Sequence, residues 1–258
     1  MGKHKTKRIR KEKRFTVLTG TDFHIPFEDH LCIDVWLQFA QYLSPDILIL
    51  HEVCDFYQLS RFDKDPARVH TLQEDLDKTF ELLKRIRKSL PKTRIIMLES
   101  NHDIRLQRFL NTRAPELESL RTLRLIKLLQ LSELKIEYHK EYMVRGILFK
   151  HGGVVRAYSG YTATAELNRT GCSGITGHSH RLSQVYKRLQ GGFYTWIESG
   201  CLCKLNPDYV NHPDWQQGCA VVQFLNESRH FYATCIPIIQ NKILWGKRTF
   251  LARKELGT

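Results

Sequence analysis

Five short segments of this sequence carry most of the side chains that could bind metal ions or move protons. Each follows a short apolar run rich in Val, Ile or Leu, and such runs are typical of β-strands. Because ligands gather at the carboxyl ends of strands in open α/β sheets, we expect all five to leave the same end of a sheet. The segments are Asp22-Phe23-His24, Glu52-Val53-Cys54-Asp55, Asn101-His102-Asp103, His151-Gly152-Gly153 and His178-Ser179-His180.

The donor types in these segments favour a pair of metal ions. Carboxylate, imidazole and amide oxygen groups are ligands of divalent cations, and two neighbouring cations need a carboxylate that can bridge them. An isolated histidine is usually a surface or core residue, and six of the 12 histidines have no motif around them. By contrast, four histidines lie beside small residues or a carboxylate at a predicted strand end, namely His24, His151, His178 and His180. The sequence therefore predicts a two-metal site.

The combined pattern resembles the calcineurin-like metallophosphoesterase family. The signature of that family is Asp-x-His, Gly-Asp-x-x-Asp, Gly-Asn-His-Asp/Glu, His and Gly-His-x-His, and the resemblance covers roughly residues 15 to 240. The segment Asp55 to Arg61, the Gly152-Gly153 turn and Trp215-Gln216-Gln217-Gly218 are similar to phage-encoded members. The resemblance implies two ligand sets that share one bridging carboxylate. The first set is Asp22, His24 and His180, the second is Asn101, His151 and His178, and the bridging position falls on Glu52.

The sequence departs from the family pattern at the bridging ligand and at the residues that precede two ligands. His51-Glu52 stands where the family has Gly-Asp, and Ser100 replaces the Gly before Asn101. Glu keeps the bridging charge but reaches about 1.5 Å further than Asp. Either the loop that carries Glu52 retreats, or the second ion binds weakly. A histidine also adds bulk where close approach or a positive φ had suited glycine.

Catalytic roles are assigned to three residues that follow the third predicted strand. We expect His102 to act as general acid or to stabilise the transition state, with Asp103 orienting its ring. Arg105 would hold a non-bridging phosphate oxygen, although a solvated helix residue is an equal alternative. The cofactors expected are two divalent metal ions, in the first place manganese, with iron, zinc or nickel left open.

The predicted fold class is α/β, a four-layer αββα sandwich of the calcineurin-like metallophosphoesterase type. Strands and helices alternate up to Asn101, and strands dominate from Lys135 onward, so a second sheet would pack on the first. Asp65-Pro66 is expected to begin a long helix whose buried stripe starts at Val69. Residues 104–131 read as a partly basic helical insertion over the site.

Charge and cysteine content bear on partners and location. The net charge of the 258 residues is +13, and the run from Lys3 to Arg14 is strongly basic. We expect a disordered basic tail over residues 1–14 and one domain over 15–258. The tail would attract DNA or RNA, or serve only solubility. Seven cysteines without two paired motifs suit reduced thiols, so Cys201 and Cys203 are expected to be structural. The absence of a long apolar segment predicts no membrane partner and a cytoplasmic location, the host cytoplasm if phage-encoded. The oligomeric state stays open.

The expected activity is hydrolysis of a phosphate ester by a metal-activated water, with a nucleic acid as the preferred substrate class. Phe62, Tyr57 and Tyr158 would suit a nucleic acid strand, or could be core residues. Two alternatives remain at this point. The first is a phosphatase acting on small molecules or proteins, and the second is a non-catalytic member that binds nucleic acid.

Overall fold

The structure is a mixed α/β fold with several sheets and few helices, which agrees with the predicted α/β class. It is a computed structural model that describes residues 14–61, 63–64, 70–206, 213–225 and 228–252. Residues 1–13, which hold nearly all of the expected basic tail, lie outside the described residues. The elements in chain order are β1 (Arg14–Thr21), α1 (His30–Leu43), β2 (Ile47–His51), α2 (Leu72–Ser89), β3 (Arg94–Leu98), α3 (Arg105–Arg113), α4 (Leu125–Leu128), β4 (Ile136–His139), β5 (Glu141–Val144), β6 (Ile147–Lys150), α5 (Tyr161–Thr170), β7 (Ser173–Thr176), β8 (Leu182–Leu189), β9 (Gly192–Ser199), β10 (Gly218–Leu225), β11 (Phe231–Pro237), β12 (Lys242–Trp245) and β13 (Arg248–Leu251).

Two large sheets hold the strands that carry the ligand segments. Within the described residues the first has the order β11-β10-β1-β2-β3-β4, and the second has the order β5-β6-β7-β9-β8. Strands β1 to β4 are parallel, as are β6, β7 and β9. Parallel neighbours bring successive loops to one edge of a sheet, which is where the ligand segments begin.

The central strands are apolar on both faces because each face meets a different layer. On β2, Ile47 and Ile49 join a core cluster shared with the second sheet, while Leu48 and Leu50 join a cluster shared with helices. The side-chain period of two makes this division unavoidable in a strand. Continuous apolar runs in the sequence thus correspond to strands that are buried on both sides.

Helices cover the outer face of each sheet. Helix α1 buries Val35, Trp36 and Phe39 in the cluster on the first sheet, and α2 adds Leu83 and Ile86. On the second sheet, α5 packs Ala163 and Leu167 against Trp196.

The predicted start of the long helix is wrong. Helix α2 begins at Leu72, and Thr71 and Glu74 form a capping box in which each side chain accepts from the other's backbone N–H. A Thr with a Glu three residues later satisfies two free amide groups, and this local signal prevailed over Asp65-Pro66. Asp65, Pro66 and Val69 lie outside the described residues, as does Phe62.

The segment 104–131 is helical, as expected, but in short pieces. Two turns of 3-10 helix separate α3 from α4, at Pro115–Leu117 and Arg121–Leu123. Proline at position 115 cannot donate the backbone bond that would continue α3. In the described part of the chain, the helices are all too short or too polar to cross a membrane.

Candidate metal centre

The five ligand segments converge, but they leave two sheets and not one. The loops carrying Asp22, Glu52 and Asn101 follow β1, β2 and β3 of the first sheet, whereas those carrying His151 and His178 follow β6 and β7 of the second. The expectation of a single sheet is therefore corrected. The two sheets share a core cluster, so the strand ends of both meet above that cluster.

Backbone hydrogen bonds join neighbouring loops within each sheet. The Asp22 and Phe23 amides donate to the His51 and Glu52 carbonyls at 3.1 and 3.0 Å. The Gly177 amide donates to the His151 carbonyl at 3.2 Å. The loops that carry Asp22, Glu52, His151 and His178 are thus each held by a neighbouring loop.

Five of the seven predicted ligands have left-handed backbone conformations. Such angles cost non-glycine residues free energy and persist where surrounding contacts enforce them, commonly at functional sites. The positive φ angles are 54° at Asp22, 53° at His24, 49° at Glu52, 67° at His178 and 56° at His180. This concentration of strain at the predicted ligands indicates that the loops are shaped for the arrangement of their side chains.

The first predicted ligand set comes together as one group. Asp22, His24 and His180 each place a ligand atom within 4.8 Å of the others, and all three side chains are buried. The two imidazoles point Nε2 toward Nε2 at 2.9 Å, and His180 Nε2 lies 3.5 Å from Asp22 Oδ1. Two neutral imidazoles that face each other share at most one proton, so at least one lone pair is directed at the space between them.

The second predicted set lies beside the first. His151 Nε2 is 2.7 Å from Asn101 Oδ1 and 3.2 Å from His178 Nδ1. The same nitrogen is 2.6 Å from Glu52 Oε2. A single ring nitrogen carries at most one proton and cannot satisfy three acceptors, whereas one cation can bind all four atoms.

Glu52 stands between the two sets with one oxygen toward each. Its Oε1 lies 3.4 Å from His24 Nε2 and its Oε2 lies 2.6 Å from His151 Nε2. The contact to His151 lacks hydrogen-bond geometry, and the buried Oε2 has no hydrogen-bond partner among the residues that the structure describes. A buried carboxylate oxygen without a partner is costly, so this donor set fits a bridged pair of divalent cations.

Strong pKa shifts mark the buried groups at the centre. Burial, together with the neighbouring Glu52, raises the pKa of Asp22 well above its ordinary range. Burial would also raise the pKa of Glu52, but His151, His24 and His102 outweigh this and hold it well below its usual value. Burial and His151 lower the pKa of His178 to about 4, which leaves the neutral ring that a metal requires.

Asp55 is a site residue that the sequence interpretation left without a role. Its Oδ2 accepts from His24 Nδ1 at 2.7 Å, and its Oδ1 accepts from the Arg105 guanidinium at 2.9 Å. The signal was present, because Asp55 is the second acid of the Gly-Asp-x-x-Asp signature at this position. By holding the far nitrogen of His24, Asp55 directs its Nε2 into the centre.

His102 faces the centre and is held by Arg105. His102 Nδ1 lies 3.0 Å from Glu52 Oε1 and 3.2 Å from Asp55 Oδ2, and Arg105 Nη2 lies 2.7 Å from His102 Nε2. Burial lowers the pKa of His102, but the carboxylates of Glu52 and Asp55 raise it to about 9.

Asp103 has a different position from the one expected. Its Oδ2 accepts from the Ser100 amide at 2.9 Å, while its own amide donates to Ser100 Oγ at 3.0 Å. Among the hydrogen bonds of the described residues, none joins Asp103 to the His102 ring. Asp103 thus closes the turn that carries His102, and the contacts to the ring come from Asp55 and Arg105. Ser100, which replaces a family glycine, supplies the acceptor for this turn.

His51 fits without the positive φ expected for a glycine at its position. It is the last residue of β2, and the left-handed backbone falls on Glu52 instead. The ring is fully buried, with its centroid 6.0 Å from that of His151, and neither ring nitrogen has a hydrogen-bond partner. Burial lowers the pKa of His51 to about 3, so it packs as a neutral ring.

The cysteine pair lies behind the first ligand set. All seven cysteines are free, and five of them are buried. Cys201 and Cys203 form a group with His180, whose Nδ1 is 3.9 Å from Cys203 Sγ. A third potential metal ligand thus lies near the pair that was expected to be structural.

A cavity of about 590 Å³ opens over the centre. It is lined by Glu52, His102 and Arg105, and Trp215 packs against His180 at a centroid distance of 4.2 Å. A phosphate group can therefore reach the predicted ligands and the predicted catalytic residues from one side.

Comparisons with known proteins add little to this geometry. The sequence matches no family model and no curated protein. One similar solved structure has a TM-score of 0.44 and 10% identity, over 86% of this chain and 99% of that chain. Another is Vps29 from Chaetomium thermophilum, with a TM-score of 0.35 and 13% identity, over 93% of this chain and 97% of that chain. At these scores and identities, neither likeness carries an inference about activity.

Proposed function

We propose that this protein is a metal-dependent phosphoesterase of the calcineurin-like type, with a four-layer αββα sandwich. The observation that carries the proposal is Glu52, a buried carboxylate that directs one oxygen to each of two histidine groups. Asp22, His24 and His180 would hold one divalent cation, and Asn101, His151 and His178 the other. Manganese is our first choice among the cations, and the harder oxygen and nitrogen donors of the seven ligands support it.

The chemistry that two such cations supply when bound is activation of a water and neutralisation of the charge on a phosphate. The residues of the chain would supply the proton for the leaving oxygen and the contact to the phosphate. His102 lines the cavity beside Glu52, which suits proton donation to the leaving oxygen. Arg105 is hydrogen-bonded to His102 and Asp55 and lines the same cavity, so it can position the ring and contact a phosphate oxygen.

A phosphodiester in a nucleic acid is the substrate class that we propose. The net charge of +13 favours a polyanion, and a small-molecule or protein phosphatase remains the alternative of the same chemistry. The free, mostly buried thiols support a reducing compartment, and we propose a cytoplasmic location.

The test is hydrolysis of bis-p-nitrophenyl phosphate with added manganese. We expect turnover in the wild type, and His102→Ala should lower kcat about 10² to 10⁴-fold without changing metal content. Lys135→Ala serves as the control for expression and purification, because Lys135 is exposed and does not line the cavity. No turnover with any divalent ion would contradict the proposal.

Glu52→Asp tests whether the longer side chain of Glu52 suits the centre or weakens it. The two oxygens of Glu52 already reach both histidine groups, so shortening the side chain should lower metal content or activity. A gain of activity in Glu52→Asp would indicate instead that the longer side chain weakens the native centre.

A further inference from the structure

A second cavity, of about 770 Å³, runs from the candidate metal centre along helix α3. We call it the arginine groove, and its described lining includes Arg61, Arg105, Arg108 and Arg113. It adjoins the cavity over the centre, because Asn101 and Arg105 line both. A ligand bound at the centre could therefore continue into the groove without crossing the protein surface.

Helix α3 presents one face to the groove. Arg105, Arg108, Phe109, Thr112 and Arg113 all line it, and their spacing of i, i+3, i+4, i+7 and i+8 places them on one side of a helix. The other face holds the buried Leu110, which fixes the rotation of the helix. From Arg105 to Arg113 this face extends about 12 Å.

The charge of the groove is not neutralised within the described part of the chain. No acidic residue is among its described lining residues, and no ion pair between residues that the structure describes involves Arg61, Arg108 or Arg113. Arg105 differs, because Asp55 and His102 already hold its guanidinium. Unpaired arginines at a cavity wall are suited to phosphate oxygens, which they bind in a bidentate manner.

Phe109 adds an aromatic surface to this row of cations. Its side chain is 44% exposed although it is apolar, and it lies between Arg108 and Arg113 on the same face. Alternation of arginine with an exposed aromatic ring is typical of single-strand binding, in which bases stack while phosphates meet cations.

From this geometry we propose that the arginine groove binds a single-stranded nucleic acid on one side of the phosphate that is cleaved. Arg108, Arg113 and Arg61 contact the flanking phosphates, and Phe109 stacks on a base. The inference rests on the proposed function for the position of the scissile phosphate. The length of the groove is the argument for a strand, because a small phosphate ester bound at the centre would not extend beyond Arg105.

The experiment compares Arg108→Ala/Arg113→Ala with wild type on two substrates. Binding of labelled single-stranded DNA and RNA of equal length is measured by fluorescence anisotropy, and bis-p-nitrophenyl phosphate hydrolysis is measured with manganese. We expect the double variant to bind both strands at least about tenfold more weakly and to flatten the slope of log K against log salt by about 1.4. Hydrolysis of the small ester should stay within about twofold. Phe109→Ala, added to the double variant, should weaken strand binding further. Its effect on hydrolysis of the small ester should also stay within about twofold.

Arg169→Ala/Arg188→Ala is the matched control, because it removes the same charge from exposed positions on α5 and β8. Equal losses in both double variants, or unchanged binding in the groove variant, would overturn the proposal. Competition by polyglutamate as strong as that by DNA would also overturn it in favour of an acidic protein partner. Groove-dependent strand binding without any ester hydrolysis would reject the proposed function while retaining the groove as a strand-binding site.

Discussion

The candidate metal centre is buried and crowded with groups that compete for the same protons, whereas the arginine groove beside it is open, and within the described part of the chain its Arg61, Arg108 and Arg113 form no ion pair. In the centre, Glu52 Oε2 approaches His151 Nε2 at 2.6 Å without a hydrogen bond. In the groove, Arg108 and Arg113 extend from an exposed helix face. The centre combines a buried carboxylate with several imidazoles, whereas no acidic residue is among the described lining residues of the groove. The centre therefore fits small cations held rigidly, and the groove fits a flexible polyanion held by many weak contacts.

The largest effect is expected when the bridging charge is removed. Glu52→Gln keeps the size of the side chain but leaves a neutral amide between the two ligand sets. Because charge neutralisation by the cations is worth several kcal/mol, ester hydrolysis should fall about a thousandfold or more, with loss of metal measured by elemental analysis. Glu141→Gln, an exposed change on β5, should have neither effect. Retained metal in Glu52→Gln would contradict the bridging role.

A smaller effect is expected from Asp55→Asn. The amide cannot hold His24 as the carboxylate does, although it keeps the shape of the side chain. Loss of a group that orients a ligand typically costs 10 to 100-fold in metal affinity, which a manganese titration followed by calorimetry would measure. Unchanged affinity would show that the backbone of the loop alone positions His24.

Two glycines near the centre provide a test of its crowding. An added Cβ at Gly177 would overlap the carboxylate of Asp22, whereas one at Gly153 would meet no atom within 4 Å. We expect Gly177→Ala to lose about 1–3 kcal/mol of stability, a decrease in Tm of roughly 2–12 °C, and to bind metal more weakly. Gly153→Ala should match the wild type in thermal unfolding. Equal Tm values for the two variants would contradict the close packing at Gly177.

The smallest of these effects is expected from salt, which should weaken strand binding in the groove more than ester hydrolysis at the centre. Three flanking phosphates give a slope of about −2.1, so raising salt from 50 to 200 mM should weaken strand binding by about tenfold to twentyfold. Ions bound directly by buried ligands are screened much less, so kcat for bis-p-nitrophenyl phosphate should change little. A parallel decrease of both quantities would remove the distinction between centre and groove.

Several features of the site could be predicted from local sequence because they depend on loops that follow strands. The place of Asp22, His24 and Glu52 after apolar runs predicts that they are candidate donors, the family resemblance implies their ligand roles, and the structure brings them together. The start of α2 differs from the one that Asp65-Pro66 predicts, because Thr71 and Glu74 form a capping box, which is absent from the sequence-based prediction. The position of Asp103 differs from the expected one for another reason. The carboxylate of Asp103 accepts from the Ser100 amide, and the folded structure shows that Asp55 is the carboxylate beside the rings of His24 and His102.

Strand periodicity and residue type are local properties, so the α/β class and the chemistry of the donors could be predicted from the sequence. Three further facts became visible in the fold alone: three donor loops come from one sheet and two from the other, His51 packs as a neutral ring, and α3 turns its arginines toward the groove. These facts depend on which faces pack together, and packing between sheets joins residues more than 100 positions apart, such as Asp22 and His180.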